Sequence, residues 1–165
     1  MSQQWYLGFG ASDSLFQLNQ DYRKSLAAVS DKEQTEKLYE LLAQFADECL
    51  DQYFLSPIES VQLNGVGKKI VLGGVGAIKK TIHLTLKQVT KKLSAQDRMQ
   101  LADYINGLMM PLRENKRFPT FVAVPISAEL RWRLGDAVAT GRAQEPGRVR
   151  DNYCDALCEL IDVAI

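Results

Sequence analysis

The chain has 165 residues, 46% hydrophobic and 24% charged, with twenty basic residues balancing twenty acidic ones. This composition supports one globular core and argues against a disordered chain, and its neutral total commits it neither to nucleic acid nor to a membrane. The longest uncharged apolar run, Ile70 to Ile78, has nine residues, far fewer than the ~20 that span a bilayer.

The opening "MSQQWYLGFG" lacks a basic start and a long apolar stretch, so no secretory signal is expected. Cys49, Cys154 and Cys158 make an odd count without a CxxC pair, which suits a reducing, cytoplasmic setting better than a disulfide framework. Charge is unevenly spread. Asp13 to Glu59 holds ten acids and four bases, whereas Ser60 to Arg98 holds eight bases and one acid, Asp97. Opposite blocks in one small chain either face each other or serve a partner.

Trp5 to Phe9, "WYLGF", reads as a short strand or an extended arm. Ser12, Asp13 and Ser14 then offer N-caps, with Ser14 and Gln17 spaced as a capping box. Leu15, Leu18, Tyr22, Leu26 and Val29 follow at helical spacing. Ser30 and Glu33 form a second cap pattern, and Leu38, Leu41, Leu42, Phe45, Cys49 and Tyr53 carry one helical face to a stop at Pro57.

Residues 58 to 89 admit two readings. Asn64-Gly65 is a favoured hairpin dipeptide, and "TIHLTL" alternates as a strand would. Against this, Val71, Val75, Ile78, Ile82, Leu86, Val89 and Leu93 fall within an arc of roughly 80° at about 100° per residue. Lys69, Lys80, Lys87 and Lys91 cluster on another face within roughly 40°. Gly73, Gly74 and Gly76 oppose the helix by about 0.8–1 kcal/mol each. The helix is the favoured reading.

Ser94 and Asp97 cap a further helix through Leu101, Ile105, Leu108 and Met109, ended by Pro111. "PLRENKRFP" is a polar connection, and "TFVAVPI" is a strand with "WYLGF" as its partner. Ser127 caps a helix carrying Leu130, Leu134, Ala137 and Val138. "TGRAQEPGR" is a loop, and a last helix runs from about Val149. The expected fold is mainly α: one domain, residues 1–165, of five or six amphipathic helices with at most a small two-stranded β element. The alternative is α+β with hairpins in 58–89.

Common chemistries fail on spacing. "GVGKK" resembles a phosphate loop, but Gln62 holds the place of the first Walker glycine and Lys69 that of the hydroxyl residue. GxGxxG also fails, since Gly65 and Gly67 lead to Ile70, and Gly74 and Gly76 to Lys79. These glycines are expected to admit a close neighbour or to break the helix near its start. His83 is the single histidine. Lys80 occupies the place a di-metal Glu-x-x-His motif needs for glutamate, so His83 is expected at the boundary of the core.

Cys154 and Cys158 sit one helical turn apart, but a zinc site needs about four ligands, so buried thiols are expected. "GASDS" falls one glycine short of a nucleophile elbow, and Ser12 is expected to act as a cap. The acids Asp47, Glu48 and Asp51, and those of the last helix, are expected to be solvated or to complement the lysines. No metal or cofactor is expected.

What remains is the lysine face, Lys69, Lys80, Lys87 and Lys91 with Lys68, Lys79 and Lys92 flanking. Arg142, Arg148 and Arg150 form a second basic locus in the late loop. The expectation is a non-enzymatic intracellular interaction protein whose basic helix meets a protein, a second copy of itself, nucleic acid or an anionic membrane surface. The alternatives are a small-ligand binder or carboxylate enzyme with a site between helices and, more weakly, a membrane-surface-active protein.

Overall fold

A computed structural model of the chain describes residues 4–27, 30–56, 65–111 and 120–142. The fold is mainly α, with five helices and a small antiparallel sheet among the described residues. Strand β1 (Trp5–Gly10) leads to α1 (Asp13–Ser25) and α2 (Asp31–Leu50), whose end passes into a π-helical turn, Asp51–Leu55. Helix α3 (Gly65–Val89) closes in a 3-10 turn, Thr90–Lys92, before α4 (Ala95–Leu108). Strands β2 (Met109–Pro111) and β3 (Thr120–Ile126) and helix α5 (Ala128–Arg142) follow. Sheet order is β1-β3-β2, as expected for the pairing of WYLGF with TFVAVPI. The last helix expected from Val149, with Cys154, Cys158 and the acids beside them, lies outside the described residues.

The contacts divide the chain into two compact units, Phe9–Val122 and Met1–Gly8 with Ala123–Ile165. In the first, α1 and α2 pack together, α2 packs on α3, and α4 lies against α1 and α2. Leu15, Tyr22, Leu38, Leu41 and Ile105, all on the faces that helical spacing assigns, form its buried centre together with Ala102, which takes the buried place expected of its neighbour Leu101. Ser12, not Ser14, caps α1: its Oγ accepts from Leu15 N–H at 3.0 Å, while Gln17 turns to Asp21 at 2.9 Å. Ser94 and Asp97 make the reciprocal capping box.

Helix α4 stops at Leu108, earlier than the apolar pattern suggests, and Met109 and Pro111 pair with Val122 and Thr120. Met110 precedes a proline and is driven to extended backbone; the strand then recovers hydrogen bonds that the helix could not continue. A buried arginine fastens the other end of α4. Arg98, 3% exposed, donates to Thr35 Oγ1 and Leu93 O, each at 3.2 Å, and pairs with Asp31.

In the second unit, Val124, Ile126 and Leu130 are buried, and Ser127 Oγ caps α5 by accepting from Leu130 N–H at 2.9 Å. The Arg131 guanidinium stacks 3.8 Å from the Trp5 ring centroid. Helix α5 runs through Thr140 and Gly141 to Arg142, correcting the expectation of a loop there. One glycine costs a helix only about 1 kcal/mol.

Candidate functional site

Helix α3 decides between the two readings of residues 65–89. It is one helix of 25 residues, so hairpins are excluded there. Its backbone N–H groups beyond the first turn are committed to intrahelical bonds, so Gly73, Gly74 and Gly76 offer no free N–H to a phosphate, while at Gly65 to Lys69 the motif spacing alone argues against a phosphate loop. Gly73, Gly74 and Gly76 are exposed, and a Cβ added at any of them meets nothing within 4 Å. They neither admit a close neighbour nor break the helix, which corrects both expectations.

The face that α3 packs is not quite the apolar arc. Val75 and Thr90 are buried, and Lys79, Ile82, His83 and Leu86 are half-buried, while Ile78 and Val89 remain exposed. The packed face is turned by roughly 40° toward Lys79 and His83. Two helix-to-helix contacts account for the turn. Lys79 Nζ lies 2.7 Å from Asp51 Oδ1 and 3.9 Å from Asp47 Oδ1, and His83 Nε2 lies 3.0 Å from Asp47 Oδ1. The Tyr39 ring meets the His83 ring edge-on at 6.4 Å.

Both partners in this arrangement are spaced i, i+4, as Asp47/Asp51 on the acidic side and Lys79/His83 on the basic side. That matched spacing was legible in the sequence; an apolar pattern alone does not weigh it. His83 therefore sits at the core boundary, as expected, held by an acid.

The remaining acid of the cluster is engaged elsewhere. Glu48 accepts from Ser12 N–H at 3.0 Å, from the Ser12 hydroxyl, and from Gln44 Nε2 at 2.8 Å. It ties the start of α1 to α2, and Ser12 is a cap with a carboxylate partner. Near it, burial and the Glu48 charge push the Cys49 thiol up to about 12, which leaves a protonated sulfur with little nucleophilic or metal-binding character at neutral pH. No group of metal-ligating side chains occurs among the described residues, nor is any helix among them long and apolar enough to cross a membrane.

Asp47 of α2 and Asp51 of the turn that ends it thus hold Lys79 and leave the lysine face alone. Lys69, Lys80, Lys87 and Lys91 are all exposed, and none meets an acid among the described residues. Lys80, Lys87 and Lys91 follow one another along about three turns. Leu84, 57% exposed, stands between them on the same side. Lys92 is exposed beside Lys91; the side chain of Lys68 lies outside the described residues. The second basic locus is not brought together here: Arg142 ends α5 with its side chain outside the described residues, as are Arg148 and Arg150 altogether.

A cleft of about 370 Å³ between α1 and α2 is lined by Leu18, Asp21, Tyr22, Lys24, Ser25, Lys37 and Glu40. Its lysines are paired along their own helices, Lys24 with Asp21 at 3.7 Å and Lys37 with Glu33 at 3.1 Å. Such pairs give a small ligand little uncompensated charge. No protein-family model, curated protein or solved structure matches this chain.

Proposed function

We propose that this protein is a binding module that docks an acidic protein surface on the Lys80–Leu84–Lys87–Lys91 face of α3. One observation carries the reading. Helix α2 and the π-helical turn that ends it supply acids to Lys79 and His83 on one flank of α3, while the three lysines on the other flank stay exposed and meet no acid among the described residues. Like charges held together at helical spacing repel one another, and an anionic partner relieves that repulsion. Leu84 supplies an apolar centre, and lysines around it supply a charged rim that speeds encounter and fixes register.

An acidic protein fits this face better than the other polyanions. Residues 65–93 contain no Phe, Tyr or Trp on which a base could stack, and the one ring there, His83, is half-buried against Asp47 and Tyr39. For a membrane surface, the apolar face of α3 would have to enter lipid, but its centre, Val75, is buried and the helix packs on α2. A reducing, cytoplasmic setting is in keeping with the free thiol of Cys49.

Fluorescence anisotropy with a labelled Glu/Leu repeat peptide tests the reading. The wild-type chain should bind, and binding should weaken steadily as salt rises. The triple variant K80Q/K87Q/K91Q should lose it while keeping its helical circular dichroism, and Leu84→Ala should weaken it. Equal binding by wild type and triple variant removes the proposal. Preference for duplex DNA or phosphatidylserine vesicles over the peptide, by the same lysines, replaces the acidic protein with that partner.

A further inference from the structure

The sheet has two edges, and they are built differently. On one side stands β2, three residues long and ending in Pro111, which has no N–H to offer. Shortness and proline are usual devices that keep a sheet edge from pairing with another chain. On the other side stands β1, "WYLGFG", with six residues, no charge and no proline. Among the described residues no strand lies along its outer edge.

One bond fixes which backbone groups that edge presents. Ala11 N–H donates to Thr120 O at 3.0 Å, and in an antiparallel ladder successive residues turn their N–H and C=O alternately toward and away from the partner. Carried back along β1, this alternation directs Phe9, Leu7 and Trp5 to β3. The N–H and C=O groups of Tyr6, Gly8 and Gly10 then point to the open edge. Side chains alternate as well: Phe9 is buried and Trp5 and Leu7 half-buried, whereas Tyr6 and Gly8 are exposed.

We infer that this edge pairs with β1 of a second copy of the chain, antiparallel about a two-fold axis at Leu7. An isologous strand pair keeps its covered face on one side only if opposed residues are an even number apart. With the axis at Leu7, Trp5 stands opposite Phe9 of the second copy, Tyr6 opposite Gly8, and Leu7 opposite Leu7. Tyr6 and Gly8 then exchange both backbone bonds, as their outward N–H and C=O groups require.

The side chains suit the same register. Trp5 and Phe9 make a cross-strand aromatic pair. The Tyr6 ring covers the strand backbone that Gly8 leaves bare, the arrangement known to rescue glycines at sheet edges. Leu7 meets its copy in the close, non-bonded position. Centring the axis on Gly8 instead sets glycine against glycine and puts Trp5 opposite Ala11, beyond the end of β1.

Light scattering on the full chain, across a concentration series, should show a monomer–dimer equilibrium reaching twice the monomer mass. Tyr6→Lys places a charge on the open edge and should return the monomer, with unchanged helical circular dichroism. Under mild oxidation Leu7→Cys should give a covalent dimer faster than wild type, because a close antiparallel pair has a Cα separation of about 4.5 Å, within disulfide reach. Tyr6→Cys, opposed by glycine, should not.

A wild-type chain that stays monomeric at every concentration overturns the inference. A dimer that persists in Tyr6→Lys, with no faster cross-linking in Leu7→Cys, overturns it too and assigns the contact to another surface. Should Leu7→Cys fail to fold, the mass of Tyr6→Lys decides alone.

Discussion

Lys79 and Asp51 meet across two helices, Nζ to Oδ1 at 2.7 Å, while Lys80, the next residue, is exposed and meets no acid among the described residues. This contrast separates a lysine that joins α3 to α2 from lysines that are open to a partner.

Lys79→Ala should therefore lower stability by about 0.2–1 kcal/mol, the range of a partly solvated ion pair, and leave binding of an acidic peptide nearly unchanged. Replacing Lys80, Lys87 and Lys91 should do the reverse. Urea denaturation and peptide titration on the same samples check both halves; loss of binding in Lys79→Ala alone would contradict the division.

The glycines of α3 give a prediction of increased stability. Gly73, Gly74 and Gly76 are helical and exposed, with open space where a Cβ would stand. Alanine at each should stabilise by about 0.4–1 kcal/mol, chiefly by restricting the unfolded chain. Thermal melting of the single and triple variants measures this. A lower melting temperature would show that these positions need glycine for a reason other than backbone freedom.

Asp31 looks like an ordinary surface acid, with a side chain 78% exposed, but it is the counter-charge of an Arg98 side chain only 3% exposed. Asp31→Asn should cost about 1–3 kcal/mol, since the buried guanidinium loses its counter-charge and keeps only a neutral amide oxygen as acceptor. Surface replacements elsewhere stay within about 0.5 kcal/mol. Chemical denaturation of Asp31→Asn against Asp21→Asn provides the comparison, because Asp21 faces only exposed neighbours, Gln17 and Lys24.

Asp97 predicts the acid limb of stability. The hydrogen bonds from the Ser94 hydroxyl and backbone N–H hold its carboxyl below the ordinary value of 3.8. Because the folded value lies below the unfolded one, the unfolded chain takes up the proton first as pH falls. The stabilisation is thus present above the ordinary value and is lost as pH drops through the folded one. Asp97→Asn should be less stable than wild type at neutral pH, and the gap should close in acid. Denaturation midpoints from neutral pH down to about pH 3 check the sign; a gap that widens in acid would refute it.

The helices and most of what they bury follow from residue order alone. Leu15, Tyr22, Leu38, Leu41 and Ile105 recur at helical spacing, and all five are buried, because a periodic apolar face has one low-energy orientation toward a core. The Ser94–Asp97 cap and the pairing of WYLGF with TFVAVPI were equally legible, being local or strongly patterned. The lysine face was visible as a periodicity, but nothing in a periodicity says whether a charge is met.

Tertiary structure decided that point. Asp47 and Asp51 reach Lys79 and His83, and Lys80, Lys87 and Lys91 stay exposed, because the rotation of α3 balances apolar burial against charge pairs contributed by another helix. The short strand Met109–Pro111 was hidden for a similar reason: its ladder partners, Thr120 to Val122, lie elsewhere in the chain. Local pattern fixes what each segment can form, and contacts between distant segments fix which of its faces are left for a partner.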